Sequence, residues 1–140
     1  MLRLQSRLTD FELIKPGRDL LKEGELQKIS RKGVGPRYFI LLSDCLLYTT
    51  YQGAWSGDHV PNLKVSYNIM LNQLHVHVPQ AEDFQCEFSI TSNVRSCTLR
   101  ARWEERYKFF ILIILKCVLQ SARLYYYCPH KGWYGNNVFP

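Results

Sequence analysis

The sequence predicts a mainly β fold: seven short strands forming a small barrel or a pair of packed sheets, a C-terminal helix that caps it, and a short N-terminal helix before it. Three observations predict this. From Leu20 to Ala101 the apolar residues recur with period two, broken by turn residues. Each of these runs has an apolar face, which an open sheet would leave in water, so the strands must close or pack on one another. At residue 103 the alternation gives way to a long apolar run without turn signals. The 140 residues, 46% of them apolar, suit one domain with one core.

The elements follow in order. Leu4, Leu8 and Phe11, spaced by four and three, predict a helix over residues 1–14, which Pro16-Gly17 ends. Its apolar stripe either packs on the following domain or belongs to a larger body. EGELQKIS, residues 23–30, is the first strand, and RKGVG, residues 31–35, is a basic, glycine-rich loop. PRYFILL, residues 36–42, is the second strand. Ser43-Asp44 turns the chain into CLLYTT, residues 45–50, and residues 51–62 form a long polar loop. LKVSYN, QLHVHV, QCEFSIT and RSCTLRA supply the remaining strands. By alternation Phe39 and Leu41 share a face with Arg37, and Leu26 shares one with Lys28. Leu74, Val76 and Val78 group likewise, as do Cys86, Phe88 and Ile90, and then Cys97, Leu99 and Ala101. Residues 103–119 read as a helix with a charged first turn, Glu104 and Glu105 suiting its electropositive end. The FFILIIL run gives it more apolar surface than one face needs, an aggregation liability. The tail, residues 120–140, has no usable period and is taken as irregular.

The net charge of +6 favours an anionic partner without naming it. Five cysteines, Cys45, Cys86, Cys97, Cys117 and Cys128, are an odd number with no C-x-x-C pair, which fits reduced core thiols in a cytoplasmic protein. Arg3, Arg7, Asp10 and Glu12 interrupt any secretory apolar region, and the run from Phe109 to Leu115 falls short of the roughly 20 residues a spanning helix needs. His75 and His77 share a strand face but have no third metal ligand nearby in sequence. No nucleophile–base or nucleotide-binding motif is present, so neither a catalytic residue nor a cofactor is expected. Arg95, Arg100, Arg102, Arg106 and Lys108 form a second basic stretch, diluted by Glu104 and Glu105, and no nucleic-acid motif accompanies it.

LLKEGELQKISRKG followed by PRYFILLSDCLLYTT resembles the first three strands of a pleckstrin homology (PH) domain attached to a Dbl-type Rho guanine-nucleotide exchange factor. The match covers roughly residues 13–50 and is closest to the FYVE/RhoGEF/PH (faciogenital dysplasia-type) and FERM-containing groups. Beyond residue 50 it thins to a strand rhythm. The resemblance implies a division into a remnant of the last Dbl homology (DH) helix at 1–14, a DH–PH linker at 15–22, a PH-like domain at 23–119 and the tail at 120–140. The departure of the C-terminus suggests a truncated or alternative product. The family's exchange activity lies in the DH domain, so the resemblance implies no exchange by this chain. It implies instead a part in Rho GTPase (Cdc42 or Rac) signalling and actin organisation for a parent protein that is cytoplasmic and peripheral at membrane or cytoskeleton.

Lys28, Arg31, Lys32 and Arg37 fall within ten residues that contain no acid, flanking and occupying one strand–strand loop. Phosphate recognition needs several cations converging on one point together with free backbone N–H groups, which Gly33 and Gly35 would expose. PH domains that bind inositol phosphates use this loop in that way, so these four residues are the expected phosphoinositide-binding set. Strong binders carry another basic residue two positions after the arginine, where this chain has Phe39. Each cation near an anionic surface contributes about 1 kcal/mol, so four give on the order of 4 kcal/mol, a weak and salt-sensitive association. A PH module that contacts the GTPase or the DH domain without lipid is the alternative.

Overall fold

The computed structural model describes residues 1–77, 87–101, 126–128 and 132–134. A short helix, α1 (Leu2–Gln5), precedes seven strands: β1 (Leu20–Ser30), β2 (Gly33–Leu42), β3 (Cys45–Gln52), β4 (Asn62–Met70), β5 (His75–His77), β6 (Glu87–Thr91) and β7 (Cys97–Arg100). They form one antiparallel sheet in the order β4-β3-β2-β1-β7-β6-β5. A single turn of 3₁₀ helix, Leu71–Gln73, joins the two ends of that order. In the tail, β8 (Tyr126–Cys128) pairs with β9 (Gly132–Tyr134), where the sequence suggested no regular structure. The helix expected over 103–119, and with it Trp103, Cys117 and the FFILIIL run, lies outside the described residues, as do Val78 and Cys86.

Alternation sorts the strands into two faces. Leu26 of β1, Phe39 and Leu41 of β2, Leu46 and Tyr48 of β3 and Ile69 of β4 meet Phe88, Ile90 and Leu99 of β6 and β7 in one buried cluster. The sheet therefore curls over until its two halves share a core. A bulge between Tyr48 and Thr49, where the β3–β4 register shifts, adds to the local twist.

The other face differs from the sequence reading of one apolar face per strand. Ile40, Leu42, Cys45 and Leu47, which alternate with the inner residues, are also fully buried. They form a second cluster with Leu63 and with Leu4, Leu8 and Leu13 of the N-terminal segment. The stripe is thus covered by the sheet that follows it, but not as a fourteen-residue helix. The helix stops at Gln5, whose side chain satisfies the chain's next turns. Its Nε2 donates to the Phe11 carbonyl at 2.8 Å, and its Oε1 accepts from the Leu13 amide. Leu8 then forms a parallel bridge with Leu63, and the Leu63 amide donates to the Arg7 carbonyl at 2.9 Å. Competition from a side-chain amide and a strand edge ends the helix early.

Candidate functional site

The β1–β2 hairpin turns through only two residues, Arg31 and Lys32, between the paired Ser30 and Gly33. Gly33 takes φ +126°, which a side chain would disfavour, and the Ser30 hydroxyl donates to its carbonyl at 3.1 Å. Gly33 and Gly35 lie in the ladder opposite Ser30 and Lys28, so the expected five-residue loop is shorter and the two glycines are strand residues. A Cβ at Gly35 would stand 3.5 Å from Arg37 Nη1, an ordinary van der Waals contact, so the Gly35 backbone lies beside the guanidinium.

Lys28 and Arg37 both face inward at this end of the sheet, and both reach Tyr48. Arg37 Nε donates to the Tyr48 hydroxyl at 3.2 Å, and its Nη1 donates to the Pro36 carbonyl at 2.7 Å. Lys28 Nζ stands 5.8 Å from the centre of the Tyr48 ring. Tyr48 is buried and wedged edge-on between Phe39 and Tyr67, with ring centres 5.2 and 5.3 Å away. A packed aromatic in the core thus sets where two cations stand. Arg31 and Lys32 are exposed on the turn beyond them.

A fifth cation completes the cluster, and the sequence reading did not assign it here. Arg95 lies in the β6–β7 connection, and β7 pairs with β1, which brings it to the same end of the sheet. Its guanidinium carbon is 5.3 Å from the centre of the Tyr67 ring. Ser92 pins it: the Ser92 hydroxyl accepts from the Arg95 amide at 2.9 Å and donates to the Arg95 carbonyl at 2.8 Å. The Arg95 Nε is buried and has no hydrogen-bond partner among the described residues. Such a donor costs stability unless something accepts from it. Cys97 lies near both Lys28 and Arg95, which pull its ionisation down, yet burial outweighs them and pushes the thiol up to about 11. It is neutral at physiological pH and balances no charge.

The framework cations are placed otherwise. Arg18 pairs with Asp44 at 2.7 Å, Arg100 pairs with Glu87, and Arg7 donates to the Pro61 carbonyl. Among the described residues no carboxylate lies within ion-pair distance of Lys28, Arg31, Lys32, Arg37 or Arg95. Three cations on two tyrosines, with two more on the turn beyond and no carboxylate partner among the described residues, are a site for an anion with several acceptor oxygens. No group of three potential metal ligands occurs among the described residues. His75 and His77 are exposed on β5. Asp44, besides its place in the turn, is the partner that Arg18 needs.

No protein-family model matches the chain. The human FYVE, RhoGEF and PH domain-containing protein 6 is 42% identical over 122 residues, 86% of this chain and 8% of that protein. The human FERM, ARHGEF and pleckstrin domain-containing protein 2 is 50% identical over 48 residues, 34% of this chain and 5% of that protein. The chain spans 6–8% of the length of the first curated relatives it matches. Among solved structures, the DH/PH domains of PDZ-RhoGEF in complex with GTP-γ-S-activated RhoA superpose with a TM-score of 0.66. That match is 18% identical and covers 86% of this chain and 40% of that one.

Proposed function

We propose that this chain, a pleckstrin homology module homologous over most of its length to Dbl-family Rho guanine-nucleotide exchange factors, attaches its parent protein to membranes bearing phosphorylated anionic headgroups. The observation that carries the reading is the convergence of Lys28 and Arg37 on Tyr48, with no carboxylate partner among the described residues. Lys28, Arg37 and Arg95 would engage the phosphates from the inner face, and Arg31 and Lys32 would add attraction from the turn. Exchange on a Rho-family GTPase, Cdc42 or Rac, is assigned to the DH domain of the longer protein, and the module's part is to bring that activity to the membrane where actin is organised. The solved complex with RhoA supports a Rho-family partner for the parent.

Co-sedimentation with phosphatidylcholine vesicles, with and without a few per cent of a phosphoinositide, tests this. The chain should bind only the phosphoinositide vesicles, and binding should fall steeply as salt rises. Lys28→Ala with Arg37→Ala should remove about 2 kcal/mol, a drop of some thirtyfold. Equal sedimentation of the native chain and the double variant would instead favour a module that contacts protein alone.

A further inference from the structure

Ser30 closes the β1–β2 hairpin against Gly33 and stands at the mouth of the cation cluster. Alternation along β1 puts it on the inner face with Leu26 and Lys28, about 7 Å beyond Lys28 toward the turn. Arg31 and Lys32 follow it directly. On the β2 side Lys28 is opposite Gly35 and Ser30 is opposite Gly33, so no β2 side chain stands between the Ser30 hydroxyl and Arg37. A Cβ built on Gly33 would meet nothing within 4 Å, which leaves open space opposite Ser30. On the β7 side Ile29 pairs with Thr98, which brings Cys97 and then Arg95 level with the turn. Ser30 is exposed, and its hydroxyl donates to the Gly33 carbonyl of its own turn at 3.1 Å. The flanking sequence points the same way. Cations lie two positions before Ser30 and one and two after it, and no acid occurs from residue 26 to 43. A kinase with an acidic substrate cleft reads such a pattern.

We infer that Ser30 is a phosphorylation site whose phosphate docks on this chain's own cations and so displaces the headgroup. The Ser30 Oγ attacks the γ-phosphorus of ATP, the bond from that phosphorus to the β–γ bridging oxygen breaks, ADP leaves, and the hydroxyl proton passes to the kinase's base. The product carries about −1.5 to −2 charges and three acceptor oxygens at pH 7. Tethered to β1 between Lys28 and Arg31, it reaches the cluster at a high effective concentration, and a headgroup must compete with it. The bond it gives up, from the Ser30 hydroxyl to the Gly33 carbonyl, is exposed, so water replaces it. The inference rests on the headgroup reading and supplies its regulation.

The test uses the full chain with phosphoserine incorporated at position 30, and a second chain with phosphoserine at position 6. Ser6 is exposed and belongs to the segment over the outer face, so its phosphate changes the net charge equally but away from the cluster. Binding to phosphatidylcholine vesicles holding a few per cent of a phosphoinositide should fall about thirtyfold with the phosphate at position 30, and much less with it at position 6. Ser30→Ala should bind as the native chain does. Without lipid, the ³¹P resonance of the position-30 phosphate should titrate below the value of about 6 usual for phosphoserine, because the cations favour the dianion. Lys28→Ala with Arg37→Ala should bring that titration back. Treated with ATP and the catalytic domain of protein kinase C, a probe that selects serines flanked by cations, the native chain should carry phosphate on Ser30 by mass spectrometry. No phosphate on Ser30 overturns the modification site. Equal losses of vesicle binding from the two positions, or an unshifted titration, overturn docking and leave the headgroup reading standing. A native chain that binds no vesicles overturns the headgroup reading and the displacement with it.

Discussion

Two arginines show how context divides one side chain between structure and recognition. Arg18 is 8% exposed and bonds Asp44 through both Nε and Nη2, while its Nη1 donates to the carbonyls of Glu12 and Leu13. Arg37 is anchored by a neutral phenol and a carbonyl and has no carboxylate partner among the described residues. The Arg18 guanidinium holds the Asp44 carboxyl below the usual carboxylate range. A carboxyl lowered on folding stabilises above its unfolded pKa of about 4, and that stability is lost as pH falls through the lower folded value. Asp44 is 41% exposed, so solvent screens the pair and about 1 kcal/mol is expected from it. Denaturant unfolding should place Asp44→Asn about that much below the native chain at pH 7, and the gap should close below pH 4. Identical stabilities at pH 7 would contradict the pairing. Lys28 and Arg37 were legible in the sequence because alternation puts them on the inner face beside Leu26 and Phe39. Arg95 was not, because 57 residues lie between it and Arg37 and only the β1–β7 ladder brings it back.

At the scale of elements, the N-terminal segment is part of the fold's hydrophobic accounting. Phe39-Ile40-Leu41-Leu42 and Cys45-Leu46-Leu47-Tyr48 are apolar at successive positions, and alternation sends half of each run to the outer face. An uninterrupted apolar run marks a strand covered on both sides. That signal was present in the sequence and names the need for a cover. The spacing of Leu4, Leu8 and Phe11 named a candidate for it but gave the wrong local geometry, since Gln5 redirects the chain through contacts that no periodicity encodes. Leu13 is fully buried in that cover. Leu13→Ala should destabilise the chain by about 2–4 kcal/mol in thermal or denaturant unfolding, the cost of a cavity between two packed layers. A loss below about 0.5 kcal/mol would mean that the segment is dispensable to the sheet. The start of β2 moved for a simpler reason: glycines near a hairpin read as loop, although a two-residue turn keeps Gly33 and Gly35 in register.

Across the whole molecule, the layout separates two tasks. One end of the sheet gathers five cations that have no carboxylate partner among the described residues, and the outer face of β2–β4 takes the N-terminal segment. On the proposed function a phosphorylated membrane would meet the first, while the second holds Leu4, Leu8 and Leu13. The claim on which this rests is that cations from β1, β2 and the β6–β7 connection serve one anion. Titrating the ¹⁵N-labelled chain with a soluble inositol polyphosphate, while following the arginine Nε resonances, tests it most directly. The account predicts that Arg37 and Arg95 shift together along one saturating curve, with Arg18 unmoved. Saturable shifts elsewhere on the sheet, or Arg37 moving without Arg95, would contradict it.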